Sequence, residues 1–293
     1  MHCAVVPSFA YTTNQIENYP MSSTFTSIGA ILLYLTATTL LFYRFHSLRN
    51  AQHSRAICGK NLIMGLALLA LFLHATALSQ DIFLAPGLNL GVTNAAALIT
   101  WLIALILILA NFRLPLESLI VIFLPAAALT LLVEQVIPST HIVSADVSSE
   151  LKFHILISIM AYSALTVAAI QSLIILLQDR HLRSRKPGGL IRALPPLQTM
   201  ETLLFQIIAT GFVLHTIALA TGMLYIENMF AQQLAHKSIL SITAWSVFAT
   251  LLWGRHYHGW RGRTAIRWTL AGFALLFLAY FGSKVVLEII IAQ

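Results

Sequence analysis

Eight stretches of this chain stay apolar for roughly twenty residues each, the length a helix needs to cross a bilayer. They run over residues 23–43, 61–79, 93–112, 116–136, 151–177, 203–225, 237–254 and 268–290, each bounded by polar, Gly or Pro residues. At about 1.5 Å of rise per residue, such runs span the roughly 30 Å of hydrocarbon in a membrane. They are continuous rather than alternating and too long for barrel strands, so strands are not expected. The predicted fold is all-α: a polytopic integral membrane protein with eight transmembrane helices. Composition agrees, since 9% of the 293 residues are charged, against about 25% in soluble domains, and the mean hydropathy is +0.84.

A net charge of +7 points to anionic partners in a soluble chain; here its placement matters more. Fourteen of the 17 Lys and Arg fall in loops after the first, third, fifth and seventh runs. Arg44, Arg49, Arg55 and Lys60 follow the first, Arg113 the third, and Arg180, Arg183, Arg185, Lys186 and Arg192 the fifth. Arg255, Arg261, Arg263 and Arg267 follow the seventh, within LLWGRHYHGWRGRTAIRW. Lys152, Lys237 and Lys284 lie near the opposite ends of runs. Basic loops stay cytoplasmic, which predicts both termini on the outer, periplasmic side of an inner membrane. Trp253, Trp260 and Trp268 are expected to anchor at headgroup level. The basic loops beside the bilayer meet anionic lipid rather than nucleic acid. His256 and His258 read as a surface pair, with no carboxylate or thiol beside them.

Residues 1–22 contain no Lys or Arg and read as an outer tail ahead of a single membrane domain over 23–293. Met21 directly precedes the first run and is a candidate start in place of Met1. Cys3 and Cys58 are predicted on opposite sides of the bilayer and do not pair. No CxxC is present, which excludes a thiol-disulfide reductase and covalent haem attachment. Nor is there a Walker loop, an HExxH, a GxSxG or an internal repeat.

What remains are ionisable residues within or beside the apolar runs, costly there and functional candidates by default. His74 lies in the second run, His154 near the start of the fifth, His215 in the middle of the sixth and His236 just before the seventh. Ala67, Ala70, His74 and Ala77 share one helical stripe, as do Gly211, His215, Ala218 and Gly222. Each histidine therefore stands among small residues, where it either serves a site or simply bonds across a packed interface. The stripe His154, Ser158, Tyr162 leaves two readings for His154: a neutral imidazole offered to a metal or haem iron, or a side chain snorkelling to water. Lys284 and Glu288, four apart, read as an ion pair, and Glu134 as interfacial. No nucleophile–base or acid–base spacing indicates catalysis by the protein itself.

LKFHILISIMAYSALTVAAIQSLIILL (151–177) resembles the helix that begins with His and carries a Ser/Ala-Tyr pair in the CcsA/CcmC-type cytochrome c assembly proteins. AWSVFATLLWGRHYHGWRGRTAIRWTLAGFALLFLAYFGSKVV (244–286) is similar to their last two spans, and GLNLGVTNAAALITW (87–101) to the entry into the third. The resemblance is nearest to the YpjD/HemX-like branch and covers spans 2 to 8. It implies a haem-handling inner-membrane protein of cytochrome c assembly or haem biosynthesis, holding haem b non-covalently near the outer face and passing it to apocytochrome or another membrane protein of the pathway. The His-led helix brings a haem-binding histidine onto His154, and LHATAL brings a second-span histidine onto His74. Two departures accompany it. Where the family has a WGxxWxWD loop, this chain reads MLYIENMFAQQLAHKS (223–238), without tryptophan, and no histidine follows the last span. His236 is placed to substitute for that histidine. Three rivals predict otherwise: a small-molecule or ion transporter using His74, His215 and Glu134, an accessory protein stabilising a partner complex without haem, and a haem-bearing membrane oxidoreductase.

Overall fold

A computed structural model of the chain describes residues 21–49, 59–84, 87–112, 114, 116–137, 142–144, 148–183, 194–225 and 232–282. Among them are eight α-helices: α1 (Met21–Arg49), α2 (Lys60–Ile82), α3 (Val92–Ala110), α4 (Glu117–Val136), α5 (Ser149–Arg183), α6 (Leu197–Tyr225), α7 (Gln232–His258) and α8 (Arg263–Phe277). A five-residue π-helical turn, Leu278–Gly282, continues α8. The first six are long and apolar enough to cross a membrane. In lipid a helix satisfies its own backbone, so continuous apolar runs fold this way and no other.

The helices pack as two halves. α1 lies against α2 and α4, and α3 joins α2 to α4; in the second half α5 lies against α6 and α8, while α7 joins α6 to α8. Contact of α3 with α5 links them. Alanines make the close approaches: Ala30 and Ala37 of α1 and Ala67, Ala70 and Ala77 of α2 are fully buried, as packing without a water-driven hydrophobic effect requires. Polar bonds fix the register. Thr100 of α3 meets Thr130 of α4 at 2.7 Å, and the Trp101 indole donates to the Leu71 carbonyl of α2 at 2.9 Å. The amides of Gln171 and Gln178 on α5 donate to the Met200 and Pro195 carbonyls at 3.1 and 3.0 Å.

The helix ends form two unlike layers. At one, here called the sheet end, the α2–α3 and α4–α5 connections pair into a three-stranded antiparallel sheet of β1 (Phe83–Leu84), β2 (Gly87–Asn89) and β3 (Ile142–Ser144). Its register pairs Phe83 with Leu88 and Leu88 with Val143. This sheet was not expected, because strands of two or three residues are too short to show an alternation. Asn89 leads the chain from β2 into α3 by accepting from the Gly91 amide at 3.2 Å.

At the arginine-rich end, Glu117 pairs with Lys60 at 3.3 Å and with Arg44 at 3.9 Å. Asp179 pairs with Arg183 at 2.9 Å and with Arg263 at 3.3 Å. The α7–α8 turn is more than a charged loop. Gly259 and Gly262 hold φ of 64° and 59°, a region open to glycine at little cost, and the Gly262 amide donates to Glu201 at 2.9 Å. The turn folds Trp260 back onto Gly254, where a Cβ would stand 2.3 Å from the indole. Trp260 then packs on Trp268 at 5.5 Å between centroids, and Arg255 donates to the Trp260 carbonyl while lying 4.5 Å over the Phe205 ring. Trp260 and Trp268 are therefore part of the packing; only Trp253 is exposed as an interfacial anchor would be.

Of residues 1–22, read as a tail, 1–20 lie outside the described residues, as do Cys3, Cys58, Lys284 and Glu288. Helix α1 begins at Met21, two residues ahead of the predicted span.

Gly254→Ala is expected to lower the thermal midpoint by several degrees, through an overpacking cost of about 1–3 kcal/mol. Gly65→Ala, where a Cβ meets nothing within 4 Å, leaves it unchanged or slightly raised; differential scanning fluorimetry in detergent compares the two.

Candidate functional site

His154 sits five residues into α5 from its start at Ser149, about 8 Å from the sheet end by helix rise. Its imidazole is half-buried and its Nδ1 lies 3.1 Å from the Thr221 hydroxyl of α6. That hydroxyl is itself within bonding distance of the Ile217 and Ala218 carbonyls, at 2.9 and 3.0 Å. With the Thr221 proton on the main chain, its oxygen accepts from the imidazole Nδ1–H. In that tautomer Nε2 keeps its lone pair. Gly222 makes room for the ring: a Cβ there would stand 3.0 Å from His154 Cε1.

His74 is held differently. It is fully buried on α2, eight residues from the helix end at Ile82, about 12 Å deep. Its Nδ1 shares a hydrogen bond with the Tyr34 hydroxyl of α1 at 3.2 Å, the rings meeting edge to face at 5.8 Å. Its Nε2 is buried without a hydrogen-bond partner among the described residues, an arrangement that costs free energy unless something fills it. His215 of α6 bonds through Nε2 to the Ser241 carbonyl of α7 at 3.1 Å. Beside it the Trp245 indole donates to Thr216 at 2.9 Å. His215 thus fastens α6 to α7, with its Nε2 already occupied. His236 falls near the start of α7, and its side chain lies outside the described residues.

The four histidines predicted from sequence are thus distributed over α2, α5, α6 and α7, in both halves of the bundle. Among the described residues no group of three His, Cys, Asp or Glu is placed to hold a metal. His256 and His258 lie exposed at the end of α7, against the rings of Tyr257 and Trp260. Sequence reasoning missed Tyr34 and Thr221, the partners that orient His74 and His154. It also missed Asp81, seven residues beyond His74 on the same face of α2 and 3% exposed. Glu134, read as interfacial, is fully buried.

The Cytochrome C assembly protein family matches residues 28–291 of the chain. The chain belongs to that family. Among its relatives, "Inner membrane protein YpjD" of Escherichia coli is 33% identical over 228 residues, covering 76% of this chain and 86% of the relative. "Protein HemX" of Brevibacillus brevis is 23% identical over 259 residues, or 86% of this chain and 93% of its own. "Cytochrome c biogenesis protein CcsA" of Prochlorococcus marinus is 25% identical over 196 residues, or 60% and 62%. No solved structure matches significantly. This cytochrome c assembly family member is a multi-pass protein of the inner membrane.

Tyr34→Phe leaves both nitrogens of a buried imidazole without a partner and is expected to cost about 1–3 kcal/mol. Tyr43→Phe, at a position 55% exposed, is expected to cost none; thermal unfolding of the two variants measures the difference.

Proposed function

We propose that this protein binds haem b non-covalently near the sheet end and serves cytochrome c assembly or haem biosynthesis. The observation that carries the reading is the setting of His154: a half-buried imidazole one to two turns inside the helix entry, its Nδ1 spent on Thr221 and its Nε2 left as a lone-pair donor. Haem, when bound, would supply an iron that neutral imidazole can ligate. His154 is the first residue assigned to it. His74 is the second, on account of its unpartnered Nε2 and the Tyr34 bond that orients its ring. His236 is assigned as the further ligand on the His154 side, in place of the histidine that the family carries after its last span. Of the four histidines, His215 fits a ligand role least, because Ser241 occupies its Nε2.

The arginine-rich end faces the cytoplasm and the sheet end the periplasm, with both termini there, because basic loops are retained inside. Haem then lies on the side where cytochromes c mature, and apocytochrome or a membrane partner of the same pathway is the acceptor. The relative named "Cytochrome c biogenesis protein CcsA" supports a role in cytochrome c assembly. The sequence 223–238 has no tryptophan to offer a porphyrin a flat face, so the residues of α5 and α6 around His154 carry the contact. A transporter reading needs His74, Glu134 and His215 in one path. His215 instead belongs to the α6–α7 seam, on helices that pack with α5 and α8 rather than with α2 and α4.

Purified protein is expected to show a Soret band that shifts on dithionite reduction, with near-stoichiometric haem by pyridine haemochrome. His154→Ala is expected to lose most of that haem and His258→Ala almost none. Equal occupancy in the two variants removes His154 from the site, and a colourless parent that takes up no added haem contradicts the reading as a whole.

A further inference from the structure

We propose, resting on the assignment of haem to His154, that Thr221 is the positioning residue of that ligand: it holds the ring as a neutral Nδ1–H imidazole and so keeps the haem exchangeable.

The acceptors around the ring come from one face of α6. Ala218, Thr221 and Gly222 lie three and four residues apart and share that face. Ala218 and Gly222 are small and buried, which lets the imidazole lie close against the helix. A Cβ added at Gly222 would stand 3.0 Å from Cε1 and 3.6 Å from Nδ1. Thr221 meets Nδ1 at 3.1 Å, and the ring is also within hydrogen-bonding reach of the Ala218 carbonyl.

A helical threonine can give its proton to a carbonyl one turn back. Thr221 has two within reach, those of Ile217 at 2.9 Å and Ala218 at 3.0 Å, and its oxygen is then left to accept from the imidazole. The Ala218 carbonyl cannot donate, so it too calls for an N–H on the ring. Both acceptors are uncharged. Glu150, one turn before His154 on α5, is exposed and bonds to Ser148 and Ser149. No carboxylate pairs with His154 among the described residues.

The partner of one imidazole nitrogen sets how strongly the other binds a metal. A carboxylate that accepts from Nδ1–H makes the ring more basic, and partners of this kind change metal affinity by about 10–100-fold. A hydroxyl and a carbonyl orient the ring and leave its basicity close to that of ordinary imidazole. His154 is thus held in place without being strengthened. It is also half-buried, near the end of α5. That combination suits haem that arrives and leaves, where a carboxylate partner suits haem that stays.

The test compares the full-length parent with Thr221→Asp, Thr221→Val and Thr221→Ser, each loaded with ferric haem in detergent. Haem loss to excess apomyoglobin and the midpoint potential are measured. Thr221→Asp puts an anionic acceptor at Nδ1, and haem is expected to leave about tenfold more slowly. A tenfold gain confined to ferric haem lowers the midpoint by about 59 mV. Thr221→Val removes the acceptor and is expected to speed the loss about tenfold, while Thr221→Ser keeps the parent rate. A role in helix packing alone would speed the loss in both Thr221→Asp and Thr221→Val. Loss from Thr221→Asp no slower than from the parent therefore overturns the proposal and leaves His154 as the ligand; a parent that takes up no haem overturns both. A second readout needs neither haem nor a folded Thr221 variant. In haem-free parent labelled with 15N-histidine, the side-chain signals that disappear in His154→Ala are expected to report hydrogen on Nδ1 and none on Nε2. The reverse tautomer overturns the role of Thr221 by itself.

Discussion

A polar atom buried among apolar helices has no water to turn to, and leaving it unpaired costs on the order of 1–3 kcal/mol. That constraint sorts the buried polar residues of this chain by what their atoms find. Where they find a backbone carbonyl or another hydroxyl, they set helix register. Gln171 and Gln178 tie α5 to the entry of α6, His215 ties α6 to α7, and the Thr100–Thr130 and Trp101–Leu71 bonds tie α3 to its neighbours. Where they find nothing, the residue is a candidate for binding. Among the described residues His74 Nε2 falls in that second group. The Asn94, Gln171 and Gln178 amides leave their carbonyl oxygens unmet as well, but each is already anchored through its nitrogen.

The two halves divide the work accordingly. The first, α1 to α4, encloses Tyr34, His74, Glu134 and Asn94, which show essentially no exposed surface. The second, α5 to α8, keeps His154 half-buried and close to a helix end, where a ligand from outside the bundle can reach it. Gly222 is central to that difference, since any side chain at its position would displace the ring. The arginine-rich end is built for position rather than binding. Glu201, Asp179 and Glu117 each fasten a basic or glycine-rich turn to a neighbouring helix.

Six of the eight predicted spans were legible because a bilayer imposes one length on every crossing, and the positions of Arg and Lys between runs predict their alternation. The stripe of Ala67, Ala70, His74 and Ala77 was legible too, since helical periodicity alone puts those residues on one face, and all four are buried together. Other features were not. Asp81 lies two residues beyond the apolar run over 61–79, whose polar boundary does not show that α2 continues to Ile82. Glu134 reads as interfacial because nothing in its own helix shows that Asp81 comes to meet it. The packing of Trp260 on Gly254 depends on two glycines at positive φ, and sequence gives a turn there but not its direction. Tyr34 and Thr221 lie 40 and 67 residues from the histidines they orient, beyond any local pattern.

Belonging to the cytochrome c assembly family directs attention to haem, while the loss of tryptophan from 223–238 removes one of the features by which the family is expected to hold it. The account therefore rests on a single imidazole, set by Thr221 and given room by Gly222. The most direct measurement is chemical rescue of that ligand: absorption spectra of His154→Gly protein, loaded with haem in detergent, with and without free imidazole. The account predicts that the variant loses the parent's spectrum and recovers it when imidazole fills the vacated position. A His154→Gly protein that keeps the parent's spectrum and haem content without imidazole contradicts it.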